Sequence, residues 1–289
     1  MSWSEVKHGK LVAVVFLVAI GLATFRPALA DSRPAGVPKA GESAAIDAII
    51  QRGTLRVGVT PTFPWLNRNK DDNDPWYGSS WTLAKAYAKA LGVKLEPVAV
   101  TNDTKIPLLL SGGIDVTISA ISPNPERDKV IDYVPYSSSA FCIFGLKTDT
   151  KVAKLTKANE LNNPDIIFAA YVGTNQYKWI PATFPKAKLR GVTGSGQAPL
   201  DEILSGRADF VLADAPQEPI LKGAHKTIFS IPADCSTSDL NKTIVAHAVK
   251  KDQTVFLNFL VGIEKPLDAS LRREDHDIGV KESQRSSQM

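Results

Sequence analysis

Apolar positions recur at two different periods along the first third of the chain. Ile46, Ile49 and Ile50 share one helical face ahead of Gly53, which predicts a short amphipathic helix stopped by that glycine. "TLRVGV" (54–59) then reads as a strand, "SSWTLAKAYAKALG" (79–92) as a helix with a serine start and a Gly92 stop, and "VKLEPVAV" (93–100) as a second strand. "TKIPLLLSGG" predicts a short helix before the strand "DVTIS". Further on, "DIIFAAY" (165–171) runs as a strand into Gly173-Thr174-Asn175 and a helix carrying Tyr177 and Trp179. "KTIVAHAV" reads as a late strand and "QTVFLNFLVGI" as an apolar closing helix. Strands and helices alternating at these lengths imply an α/β protein built from parallel βαβ units.

The same pattern occurs twice. "LLSGGIDVTISA" (109–120) and "ILSGRADFVLAD" (203–214) share the frame Leu-Ser-Gly-x-x-Asp followed by an apolar strand. Each describes a glycine-closed helix, a tight turn and a strand, so the chain is expected to hold two α/β lobes of similar build. Open α/β sheets bind ligands at the carboxyl ends of their strands. That makes the residues just after Ser119 and Ala213, and the turn at 173–176, candidates for a site.

The ends of the chain look different. Lys7 and Lys10 precede the apolar run "LVAVVFLVAIGLAT", which is followed by Arg26 and by "ALA" at 28–30. A basic start, a short apolar core and a small-x-small site read as a secretory signal over 1–30, cleaved after Ala30; the alternative is an uncleaved membrane anchor. Residues 31–44 read as a flexible leader, and 276–289 as a polar tail. Removing 1–30 takes away Lys7, Lys10, Arg26 and Glu5, which lowers the formal charge of +4 by two. No basic stripe of the kind nucleic-acid binding needs is present.

The four histidines are scattered, so neither a metal site nor a cofactor is expected. An exported chain can keep its two cysteines, Cys142 and Cys235, oxidised; a disulfide is the expected state and two buried thiols the alternative.

The stretches "RGTLRVGVTPTFPW", "LAKAYAKALGVKLEPV", "LLSGGIDVTISAISPNPERDKVIDYVPY", "YVGTNQ" and "LSGRADFVLAD" cover most of 46–262. In this order they resemble the periplasmic solute-binding proteins of family 3, which feed polar amino acids to ABC importers. The resemblance implies a type II periplasmic binding protein: two lobes joined by two hinge crossings, closing on a ligand between them. Lobe 1 would comprise 45–137 plus 243–275 and lobe 2 141–235, with crossings near Ser138 and Ser236–Lys242. Cys142 and Cys235 would then both stand beside the hinge.

The resemblance also implies site residues. Arg127 matches the arginine that forks onto a ligand α-carboxylate, a geometry lysine cannot imitate; otherwise it is a solvated helix charge. Ser119 and Ser122 flank the turn before it, and Ser122-Pro123 also reads as a helix cap and start whose dipole would favour an anion. Asp214 matches the acid that accepts from a ligand ammonium, although Asp214 with Gln217 also forms a capping-box pattern. Thr174, Asn175 and Gln176 would complete the carboxylate clamp, or form only a turn. Phe63 would wall the ligand, with Trp65 beside it, or both aromatics would be core or surface. Thr60 stands where many amino-acid binders have Asp, and "GSSWTLAK" where they have "GFDVDLAK". These departures are expected to rewrite one wall of the pocket and argue against a strongly cationic ligand.

The implied function is capture of a small carboxylate-bearing solute, an amino acid, for an inner-membrane ABC permease, by a periplasmic monomer. The rival is a cyclohexadienyl (prephenate/arogenate) dehydratase on the same fold, whose turns look like "SINxER" and "GTNE". That elimination needs a carboxylic acid, where this chain has Gln176; Glu218 could replace it only by facing the cleft. A sensor domain would need the uncleaved anchor.

Overall fold

A computed structural model describes residues 33–69 and 73–287, so the expected signal segment and cleavage site lie outside the described residues. The chain first lays down α1 (Ala44–Arg52), β1 (Thr54–Val59), the antiparallel pair β2 (Asn67–Arg68) and β3 (Trp76–Tyr77), and α2 (Ser79–Leu91). β4 (Lys94–Ala99), α3 (Lys105–Leu110), β5 (Val116–Ile121) and β6 (Ile131–Ser139) follow. A second group comprises β7 (Phe141–Leu146), β8 (Ile167–Tyr171), α4 (Asn175–Thr183), β9 (Lys188–Val192), α5 (Ala198–Leu204), β10 (Phe210–Asp214), α6 (Glu218–Ala224) and β11 (Ile228–Ile231). The chain then returns through β12 (Thr243–Lys250), α7 (Thr254–Glu264) and α8 (Asp268–Ser287).

Two five-stranded sheets result, in the orders β4-β1-β5-β12-β6 and β11-β7-β10-β8-β9. They are mixed rather than parallel throughout. β1 lies parallel to β4 and β5, and β8 parallel to β9 and β10, while β12 and β7 run antiparallel to their neighbours. The reason is topological: each crossing strand enters its sheet from the end at which the parallel strands finish. The crossings are adjacent, because β6 and β12 pair out to Ser139 and Thr243, and Phe141 N–H donates to the Leu240 carbonyl at 2.7 Å. Cys142 and Cys235 are disulfide-bonded beside them, with Cα atoms 5.6 Å apart.

The repeated frame has a structural counterpart. β5 and β10 are the central strands of their sheets. Each preceding helix ends at the serine of the frame, with the following Gly112 or Gly206 in left-handed conformation. Each frame aspartate then holds the start of the neighbouring parallel strand: Asp115 accepts from Arg56 N–H at 2.8 Å, and Asp209 from Ile167 N–H at 2.7 Å. Cations close both corners, Arg52 and Arg56 at Asp115 and Lys151 at Asp209.

α1 and α2 end as their glycines predict, with Gly53 and Gly92 left-handed, but α2 starts at Gly78 without a serine cap. Gly78 sits at φ 112°, and a Cβ there would lie 2.4 Å from the Trp65 carbonyl oxygen. Gly78→Ala therefore destabilises the fold by about 2 kcal/mol or more, a fall of roughly 4–8 °C in Tm that a thermal melt measures.

Residues 276–287 of the expected polar tail continue α8, whose buried Leu271 and Asp275 and half-buried Ile278 recur on one face. α8 packs against α2 and β6 and reaches α6 of the second group. Asp275 accepts from the Ser137 hydroxyl at 2.9 Å, and that hydroxyl accepts from Trp65 Nε1 at 3.0 Å. Burial raises the Asp275 carboxyl to about 6.

Candidate functional site

A cavity of about 430 Å³ opens between the two sheets, at the carboxyl ends of β1, β5, β8 and β10. The first group contributes the loop after β1, the end of β5 and Arg127; the second contributes the start of α4, the approach to α5 and the end of β10. The two halves of the repeated frame thus face one space.

Arg127 is buried in this wall and sits in a single 3-10 turn, Arg127–Lys129. The helix expected after Ser122-Pro123 is absent. Instead the Asn124 side chain accepts from the backbone N–H of Glu126 at 3.1 Å and of Arg127 at 2.9 Å. Asn124 therefore does the work expected of a serine cap, and no helix dipole is aimed from this segment. The guanidinium donates from Nη1 to the Ser122 carbonyl at 2.7 Å and weakly to Asn175 Oδ1 at 3.4 Å, and from Nη2 to the Gly173 carbonyl at 2.7 Å. Of its five N–H groups, Nε–H and one Nη2–H remain for another acceptor. Burial lowers its pKa to about 10, so it stays charged at neutral pH.

The partners of Arg127 belong to both lobes, and so do their neighbours. Asn124 Nδ2 donates to Asn175 Oδ1 at 2.7 Å, and Asn175 Nδ2 to the Pro123 carbonyl at 3.0 Å. Glu126 pairs with Lys178. Two further bonds join Asn102 and Asp103 to Gly194. Asn175 lines the cavity, but its amide serves this latch between lobes. Thr174 caps α4, accepting from Tyr177 N–H at 3.3 Å, and Gln176 lines the cavity beside it.

Asp214 ends β10 in the same cavity and makes no capping bond, so the capping-box reading with Gln217 does not hold. Burial pushes its carboxyl up to about 6, opposed by the Ser139 hydroxyl and the Lys105 charge. Thr60, Phe63, Ser122 and the buried Trp65 also line the space.

Ser119 does not. It lies within β5 and donates to the Gly58 carbonyl at 3.2 Å. Nor do Ser79, Ser80 and Trp81, which pack inside the first lobe; Ser80 Oγ contacts His247 Nε2 at 2.7 Å. Of the two departures expected to rewrite a wall, only Thr60 faces the cavity. Glu218 is tied elsewhere, accepting from Cys235 N–H at 3.0 Å, from the Ser230 hydroxyl at 3.3 Å and from Lys222.

Sequence reading missed Lys105, together with Arg68, Tyr171, Gln197 and Gln217, which also line the cavity. Lys105 is buried at the first position of α3, donating to Asn102 Oδ1 at 3.3 Å and to the Ala120 carbonyl at 3.2 Å. A signal existed: a cation in the first turn of a helix opposes the helix dipole, and such local violations concentrate at functional sites.

Burial, then the neighbouring Arg127 charge, lower the Lys105 pKa to about 7, against the attraction of Asp214. The unfolded chain holds this proton up to the ordinary lysine value near 10.5. At and below about pH 7 the folded state thus carries the full cost of a buried charge, and that cost fades as pH rises from 7 towards 10.5. Lys105→Met is expected to raise the Tm of the ligand-free protein by about 2–5 °C at pH 6, and by less at pH 9, as melts at the two pH values would show.

Among the described residues, the site thus presents two buried cations, one half-buried carboxylate and an aromatic wall in one cleft. Comparison with known proteins bears on the family and the fold. Residues 55–269 match the bacterial extracellular solute-binding proteins, family 3. The L-cystine-binding protein TcyJ of Escherichia coli (strain K12) is 26% identical over 170 residues, 58% of this chain and 62% of that protein. The chain thus spans less than two thirds of the length of that curated relative. The crystal structure of the ancestral amino acid-binding protein AncCDT-1, a precursor of cyclohexadienyl dehydratase, is 30% identical with a TM-score of 0.67, covering 82% of this chain and 99% of that one. Holo ArgBP from T. maritima is 27% identical with a TM-score of 0.66, covering 76% and 93%. With a family match over most of its length and a two-lobed α/β fold around one cleft, the chain belongs to the bacterial extracellular solute-binding proteins of family 3.

Proposed function

We propose that this protein captures a small carboxylate-bearing solute, an amino acid, between its lobes and delivers it to an inner-membrane ABC permease. One observation carries the reading. Arg127 is buried in the cavity wall, held by carbonyl groups of both lobes, and pairs with no carboxylate among the described residues. A buried charge needs a partner, and a ligand carboxylate on its remaining N–H groups supplies one. Asp214 would take the ligand ammonium, and Phe63 would pack on the ligand body. The working form would be a periplasmic monomer, cleaved after Ala30.

The relatives bear on this reading: TcyJ is named for L-cystine, and AncCDT-1 is described as an amino acid-binding protein. No observation favours the dehydratase. Gln176 stands where the acid is expected, and Glu218 does not line the cavity.

A melting-point screen of the mature protein against amino acids and dicarboxylates tests the proposal. A ligand present at 100 times its Kd stabilises the folded state by about 2.7 kcal/mol, roughly 5–10 °C in Tm. If no compound of either class moves the melting point, the function is wrong. Incubation with prephenate should yield no phenylpyruvate absorbance.

A further inference from the structure

The charges lining the cleft do not balance for an ordinary amino acid. Among the described residues, the lining carries three cations, Arg68, Lys105 and Arg127, and one carboxylate, Asp214. Arg68 is exposed and lies 4.8 Å from the centroid of the Trp76 ring, so water and the indole face screen it. Lys105 has no such relief. It is 3% exposed, and its hydrogen-bond acceptors are the uncharged Asn102 side chain and the Ala120 carbonyl. Two of its three N–H groups are used, which leaves one donor.

A zwitterion does not correct this. Its carboxylate would neutralise Arg127 and its ammonium would neutralise Asp214, which leaves the buried Lys105 ammonium without an anion. A basic amino acid would add a further cation to a wall that, among the described residues, offers it no second acid.

We propose that the ligand bears a second anionic group and that Lys105 receives it, so that the cleft selects an acidic amino acid over neutral or basic ones. This rests on the solute-binding reading above and names its ligand class. Lys105 acts as the specificity-determining residue and Arg127 as the general carboxylate anchor. The placement of Lys105 supports the division. It opens α3, donates to the Ala120 carbonyl at the end of β5, and lines the same cavity as Arg127 and Asp214. The second anion thus lies on the same ligand as the α-carboxylate rather than at a separate site.

Calorimetric titration with L-glutamate, L-glutamine, L-aspartate, L-leucine and L-arginine tests this, because glutamine differs from glutamate in little but the side-chain charge. L-glutamate or L-aspartate should bind the native protein at least about tenfold more tightly than any neutral or basic amino acid. Lys105→Met should erase that preference while still binding neutral amino acids, and Lys105→Arg should restore most of it. A neutral or basic amino acid binding as tightly as the acidic ones overturns the assignment, as does a preference unchanged in Lys105→Met. If neutral amino acids bind as tightly as the acidic ones and Arg127→Ala abolishes that binding, the solute-binding reading stands and only the ligand class fails. If nothing in the panel binds, both fail. The neutral ligands also report whether the Lys105 variants are folded.

Discussion

Arg127→Ala removes most of the affinity for any carboxylate ligand, by about 2–5 kcal/mol, which is roughly thirty- to several-thousand-fold in Kd. Two losses add together. The ligand carboxylate would be buried without its charge partner, and the bonds from Nη1 to Ser122 and from Nη2 to Gly173 would vanish from the contact between lobes. Arg127→Lys keeps a charge but lacks the planar fork, so it should recover only part of the loss. The ligand-free Arg127→Ala protein should melt no lower than the parent, because a buried cation without an ion pair has been removed. Calorimetry and a melt on the same samples separate the effects. Unchanged affinity in Arg127→Ala would show that the anchor has been misassigned.

The second large effect concerns stability. Cys142 is the second residue of β7 and Cys235 follows β11, so their bond closes a loop with a sequence separation of 93 residues. Releasing a loop of that length costs about 4–5 kcal/mol in chain entropy, a fall of roughly 10–15 °C in Tm for a protein of this size. The double variant Cys142→Ala, Cys235→Ala should show it, and each single variant should match the double. Reductant should lower the melting point of the parent and leave the double variant alone. A parent protein indifferent to reductant would sink the prediction. Both sulfurs are buried, so reduction should be slow in the folded state and fast on partial unfolding.

How far the sequence could be read varied from residue to residue. Gly53 and Gly92 announced their helix ends, because a left-handed cap needs glycine and the requirement is local. The Leu-Ser-Gly-x-x-Asp frame was visible twice, and its aspartates proved to hold neighbouring strands at equivalent corners. Ser119 shows where such reading stops. β5 is covered on both faces, so alternation gives no hint of which residue leaves the sheet, and the cavity begins one residue later at Ala120. The serine cap failed for a similar reason. Asn124 took over the backbone donors around Arg127, and its amide is also committed to Asn175 across the cleft. Ser79–Trp81 differed from the family pattern, yet the fold turned them into the core.

What the sequence by itself determined was the order of elements, the duplication of the frame and, through the family resemblance, Arg127 and Asp214 as candidate charges of one site. Those follow from periodicity, glycine stops and motif, all of which act over a few residues. Only the tertiary structure decided which charges share a space. Lys105 is 22 residues from Arg127 along the chain. It enters the cleft because the packing of α3 against β5 carries it there. The electrostatic character of the site is a sum over such distant neighbours, and burial, which no local pattern reports, sets how strongly each of them counts.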